Sequence, residues 1–244
     1  MSSNIKKDTY RTLMYWLVMT SFIFSLVYVP LRSYLDESYR SGGAYKIMIF
    51  QTVCGIIEIN LPSFLEKRFN LKIPRLFAIM FLVFVWGAIF LGEVADFYYR
   101  FPFWDDILHL WSSMMLGFLG FSLIEILNND KKHNKVSLSP IFVCIFATLF
   151  TVSIGALWEI YEFISDGILG INMQKYALGS AISDTGVTLL EGREALKDTM
   201  TDLIVDFIGG LVASAVGYVS IIKNTGWIDT FKVSFNEKEG DKNV

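Results

Sequence analysis

"LSPIFVCIFATLFTVSIGALWEIYEFISDG", residues 138–167, runs from Leu138 to Trp158 without a charge and then delivers Glu159, Glu162 and Asp166 in quick succession. At about 1.5 Å of helical rise per residue, the uncharged part is roughly 30 Å long, the thickness of a bilayer's hydrocarbon core. The stretch therefore reads as a membrane-crossing helix. Its acids stand at the unfavourable end, because a helix C-terminus carries partial negative charge and attracts cations.

The rest of the chain repeats the first half of that pattern. Residues 12–31, 76–92 and 207–222 also lack Asp, Glu, Lys, Arg and His, while 47–65 is interrupted only by Glu58 and 107–124 only by His109. With 244 residues, 53% hydrophobic and 18% charged, the chain is too poorly charged for a soluble coat, for which about a quarter is usual. We expect an all-α, polytopic transmembrane bundle of about six spans, as one integral membrane domain over 1–244. The spans are placed near 12–31, 45–65, 76–97, 105–127, 138–164 and 200–222. Lys6, Lys7 and Arg11 precede the first run, but Pro30 and Arg32 close it and no small-residue cleavage pattern follows. It reads as a retained anchor. Cys54 and Cys144 fall in separate spans and read as packing residues. The glycines of "IGGLVASAVG" are spaced for close helix contact.

Cations set the orientation. With the N-terminus inside, fourteen of the 21 Lys and Arg fall on inner segments and seven on outer ones. Both termini of a multi-pass membrane protein are thus expected in the cytoplasm, with loops 32–46, 97–104 and 167–197 outside. Of the 24 acids, fifteen then lie on the outer side or in outer helix ends.

Those outer acids are ordered. Asp105 and His109 are i, i+4; Glu159 and Glu162 are i, i+3; Asp198, Asp202 and Asp206 run i, i+4, i+8. Each set occupies one helical face, and helical rise brings the sets to a similar depth. Arg100, Arg193 and Lys197 are the expected nearby cations, too few to balance them. A plainer account exists: Asp105, Asp106 and Asp198 begin helices, where acids cap free N–H groups. Glu159 and Glu162, at a C-terminal end, have only interfacial solvation as that account, and ionisable groups at membrane depth are functional by default.

"FWDDILH", "ALWEIYEF" and "KDTMTDLIVDFIGGLVAS" together resemble the YjdF-like family of uncharacterised bacterial inner-membrane proteins. The family's pattern is Asp-x-x-x-His, then Glu-x-x-Glu, then Asp-x-x-x-Asp running into a glycine-containing last span. The match falls on Asp105 and His109, Glu159 and Glu162, and Asp198 and Asp202, and covers roughly residues 76–222. A longer loop precedes the last Asp pair here, with Lys197 where the family carries Trp. The resemblance implies positions for a site; it implies no reaction.

Asp105, Glu159, Glu162, Asp198 and Asp202 with His109 form an oxygen-rich ligand set. It suits a hard divalent cation such as Mg²⁺, Mn²⁺ or Ca²⁺, and iron is compatible with a single His. Structural zinc is not, with one His and no Cys in the set. The expected function is a membrane-embedded, metal-dependent enzyme acting on a lipid or lipid-linked substrate at the outer leaflet. His109 and Glu162 are the residues expected to move protons. A cation- or proton-coupled carrier, or a non-catalytic accessory or sensor protein, are the alternatives. Membrane lipids are the expected partners and nucleic acid is not; the oligomeric state stays open.

Overall fold

A computed structural model describes residues 9–37, 39, 44–128, 138–178 and 188–235. Sequence expectations that rest on Lys6, Lys7, Arg40, Lys131, Lys132, His133, Lys135, Lys238, Lys242 or residues 179–187 of the outer loop lie outside the described residues. Six helical stretches among the described residues are long and apolar enough to cross a membrane. The first is α1 (Thr9–Leu35). The second is α2 (Ala44–Glu58) continued by α3 (Leu61–Phe69), with a turn at Ile59–Asn60 and Pro62 in the first turn of α3. The third begins as α4 (Arg75–Val85) and finishes as a π-helical stretch, Trp86–Val94. After the short α5 (Phe97–Arg100) come α6 (Trp104–Asn128), α7 (Pro140–Leu169) and α8 (Lys197–Lys223).

Local chemistry fixes the ends of α7. The Ser139 side chain accepts a hydrogen bond from the Phe142 N–H and Pro140 opens the helix, a cap and a first residue suited to that place. Gly170 ends it with φ +64, where a residue with a Cβ is strained, and its N–H donates to Asp166 O. The described residues also include four short strands: β1 (Leu71–Lys72), β2 (Ala177–Leu178), β3 (Thr188–Leu189) and β4 (Ser234–Phe235).

The outside of the bundle is as apolar as its core clusters, and polar side chains share the interior. Large apolar side chains such as Trp16, Phe24, Ile145, Leu149, Phe163 and Ile204 point outward, whereas Ser113, Ser122, Thr151, Glu159, Asp202 and Asp206 are buried. A lipid surround explains both, since it rewards apolar surface and leaves polar groups to pair inside. α6, α7 and α8 pack most closely on one another, and α1, α2 and α4 form a second group. Within the first group the small residues do what their spacing predicts. Gly117 lies against Ala213, and Gly210 lies against the backbone of Thr148, so the helices approach without side chains between them.

One end of the bundle gathers the described chain ends. Arg11 at the start of α1 donates to both carboxylate oxygens of Glu66 in α3, at 2.9 Å each. β1 pairs antiparallel with β4, Leu71 opposite Phe235. The Val233 N–H donates to Ser122 Oγ at 2.8 Å, Phe231 stacks on Phe118, and Lys232 bridges Glu125 and Asp229. The segment after α8 is thereby folded back under α6. The ordered acids lie at the opposite end.

Candidate metal centre

The three acids that close α7 meet three different fates. Asp166 is buried and accepts two main-chain N–H groups, Met173 to Oδ1 at 2.7 Å and Gln174 to Oδ2 at 3.0 Å. It anchors the loop that follows. Glu162 accepts from Trp158 Nε1 at 2.8 Å. Glu159, one turn deeper and 5% exposed, has no hydrogen bond to either carboxylate oxygen. Thr199 and Gln174 are the donors nearest its carboxylate, but the Gln174 amide goes to Thr199 Oγ1 at 2.9 Å and to the Glu159 main-chain carbonyl at 3.5 Å, and the Thr199 hydroxyl makes no well-formed hydrogen bond to either carboxylate oxygen.

Glu159 points at His109 and Asp202. One ligand atom from each of these three lies within 4.8 Å of the other two, and all three residues are buried. Asp202 is 1% exposed and both of its oxygens also lack a hydrogen bond. Leaving a buried carboxylate unpaired costs several kcal/mol. Two facing each other are relieved by a shared proton or by a cation between them.

The imidazole is oriented for that role from behind. His109 Nδ1 stands 3.3 Å from Asp206 Oδ1, to which an N–H there would donate, and Nε2 faces Asp202 Oδ2, 4.0 Å away, with a lone pair when the ring is neutral and an N–H when it is protonated. That is too long for a direct hydrogen bond. It fits two ligand atoms sharing one ion at about 2.0–2.4 Å from each. A carboxylate behind a ligating histidine fixes tautomer and ring direction. Asp206 Oδ1 lies 2.5 Å from Ser113 Oγ, whose single proton is shared between that carboxylate and the His109 carbonyl. Gly155 makes room for it: a methyl there would run into Asp206 Oδ2.

A second group stands beside the first. Ligand atoms of Asp105, Asp198 and Asp202 also lie within 4.8 Å of one another, so Asp202 belongs to both groups. Here a cation of the chain itself is present. Lys175 Nζ pairs with Asp105 and stands 3.5 Å from Asp198 Oδ1, over the Tyr98 ring at 5.6 Å from its centroid. Burial alone would lower the pKa of Lys175, but Asp105 and Asp198 outweigh it and raise the ammonium above the usual lysine value.

This corrects the expected set of nearby cations. Arg100 pairs with Asp96 at 3.7 Å and Lys197 with Glu194 at 3.8 Å, all well exposed. Lys175, counted in the sequence only as one loop cation, is the one that enters. Of the six expected ligands, His109, Glu159 and Asp202 form one group and Asp105, Asp198 and Asp202 the other, while Glu162 belongs to neither. Asp206 had a visible signal in its i, i+8 spacing from Asp198. Lys175 had none, because a loop lysine looks like any other. Glu93, at the end of the third span, accepts from Gln51 Nε2 at 3.0 Å and pairs inside its own half of the bundle.

The family described as "Predicted membrane protein (DUF2238)" matches residues 11–223, and with them every acid and the histidine of this centre. The chain belongs to that family. The YjdF-like resemblance agrees with it, and so does a Thermotoga maritima relative described as an uncharacterized protein. That relative is 30% identical over 158 residues, covering 64% of this chain and 69% of its own. No solved structure matches the chain. Family and helices together make this a multi-pass membrane protein with a His/carboxylate cluster at one end of its bundle.

Proposed function

We propose that the cluster binds a divalent cation and that the protein is a membrane-embedded, metal-dependent enzyme acting on a lipid or lipid-linked substrate at the outer leaflet. The observation that carries this is the set of four unpartnered oxygens on Glu159 and Asp202, buried and facing the Nε2 side of His109. A hard divalent ion such as Mg²⁺ or Mn²⁺ suits one nitrogen and several carboxylate oxygens. When bound it would polarise an ester or phosphoryl oxygen and acidify a water.

The chain's residues divide the remaining work. Ligation through Nε2 would commit His109 to the ion, and proton transfer would then fall to Glu162, one turn from Glu159 and outside both ligand groups. Its hydrogen-bond partner Trp158 is 47% exposed on the flank that also carries Leu157 and Tyr161. A lipid headgroup is thus one side chain away. The aqueous end is covered by residues 172–177, tied down by Asp166 and by both ends of the Asn172 amide on Ala177.

A carrier is less well supported. Beneath the cluster the hydroxyls are spent on their surroundings: Thr151 donates to Ala147 O, and Ser214 to Cys144 O. Among the described residues, no ordered chain of charged groups continues from the cluster across the bundle.

Metal analysis of the purified protein, followed by melting with chelator or Mn²⁺, tests the reading. Wild type should gain stability with Mn²⁺. At an ion concentration of about one hundred times the dissociation constant, that gain is about 2.7 kcal/mol. Glu159→Gln should lose most of the gain, whereas Glu162→Gln should keep it and lose activity. Equal melting of all three proteins with and without the ion would remove the metal.

The orientation has its own test. In a background of Cys54→Ala and Cys144→Ala, a cysteine at the exposed Glu194 should react with an impermeant reagent on intact cells. One at the exposed Thr225 should react only after permeabilisation. The reverse pattern would place the centre at the inner leaflet.

A further inference from the structure

The second group of carboxylates resembles a metal position in everything but its occupant. Asp105 comes from the first turn of α6, and Asp198 and Asp202 from successive turns of α8, so three oxygens converge from two rigid helices. Asp202 is shared with the His109–Glu159 group, and neither of its oxygens has a hydrogen bond. A carboxylate with two free oxygens between two ligand groups is the usual bridge of a two-cation centre, whose ions stand about 3.5–4 Å apart. Asp198 Oδ2 is likewise buried and unpartnered.

We propose that this is a two-cation centre in which the Lys175 ammonium serves as a tethered surrogate for the second divalent ion. Lys175 reaches the position from a loop and not from a helix. It takes a left-handed backbone conformation, φ +47, that is strained for a residue with a side chain. On either side of it Asp166 grips the N–H groups of Met173 and Gln174, and Asn172 clasps Ala177. The loop is therefore built to deliver one cation to one place. Charge supplies the reason. Asp105, Glu159, Glu162, Asp198, Asp202 and Asp206 crowd one end of the bundle, more negative charge than a single divalent ion balances. An ammonium on the chain contributes a positive charge that cannot diffuse away. It also keeps a free ion out, since a cation in the same position would meet Lys175 at contact distance. This inference rests on the metal reading of the first group but can fail separately from it.

Manganese content of the purified protein, after equilibration with Mn²⁺ and removal of the excess, decides it. Wild type should hold one ion per chain, and Lys175→Met should hold two. Lys175→Met combined with Asp198→Asn should return to one, and Lys175→Arg should stay at one. Two manganese ions that share Asp202 should also give an exchange-coupled magnetic resonance spectrum in Lys175→Met, in place of the isolated-ion spectrum of wild type. One ion in both wild type and folded Lys175→Met would overturn the surrogate and leave the first metal position standing. Two ions in wild type would overturn it as well. No ion in either protein would overturn both readings, whereas an Asp198-dependent ion found only in Lys175→Met would support the surrogate and remove the first position. Lys175→Met that folds only with Mn²⁺ present counts as support, because the ion has then replaced the ammonium. A variant that Mn²⁺ cannot rescue at any concentration counts against it.

Discussion

Asp202→Asn is expected to abolish stabilisation by divalent ions and, in the same protein, to raise stability in the presence of chelator. The two effects have one origin. Asp202 is shared by both ligand groups, is buried, and has no hydrogen bond on either oxygen. With metal bound, the carboxylate is a ligand and the neutral amide a poor substitute. A hundredfold loss of affinity would cut a stabilisation of about 2.7 kcal/mol to about 0.4 kcal/mol at the same ion concentration. Without metal the carboxyl group is buried beside Glu159, Asp198 and Asp105, and His109 Nε2, 4.0 Å away, is too far to hydrogen-bond it. Neutralising it should then gain at least about 1 kcal/mol, the lower end of what an unsatisfied buried polar group costs. Melting of both proteins with chelator and with Mn²⁺ measures the crossing. Curves that keep the same order in both buffers would mean that Asp202 is not a ligand.

Two glycines of α7 should respond to alanine with opposite signs. Gly155 lies against Asp206, and a methyl there would meet the carboxylate and its Cβ. Relief requires α7 and α8 to part or Asp206 to leave His109. Overpacking of this kind costs about 1–3 kcal/mol, and Gly155→Ala should also weaken Mn²⁺ binding by turning the imidazole. Gly167, twelve residues on in the same helix, has nothing within 4 Å of an added Cβ. There alanine's helix preference should act alone, adding up to about 1 kcal/mol with metal binding unchanged. Thermal melting and a Mn²⁺ titration of both variants separate them. A neutral Gly155→Ala would show that α7 and α8 are not in contact at this level.

The membrane class, the number of spans and the helical faces that carry the acids were legible in the sequence, because each depends on local period. An uncharged run of bilayer length has one economical structure, and i, i+4 spacing determines a face before any partner exists. The same logic picked out Asp105, His109, Glu159, Glu162, Asp198 and Asp202 as residues of one depth. It could not say which of them meet. Glu159 and Glu162 are one turn apart on the same helix, yet one faces His109 and the other turns to Trp158. That choice belongs to the angle at which α7 packs on α6 and α8, which close contacts at Gly155 and Gly210 set. Nor did any local pattern mark Asp166 as the clamp of its own loop, or connect residues 71–72 with 234–235. Lys175 is the clearest case. Its chemistry is that of any surface lysine, and only the tertiary fold, by carrying residues 172–177 over the ends of α6 and α8, puts its charge where three helices had left carboxylates without partners.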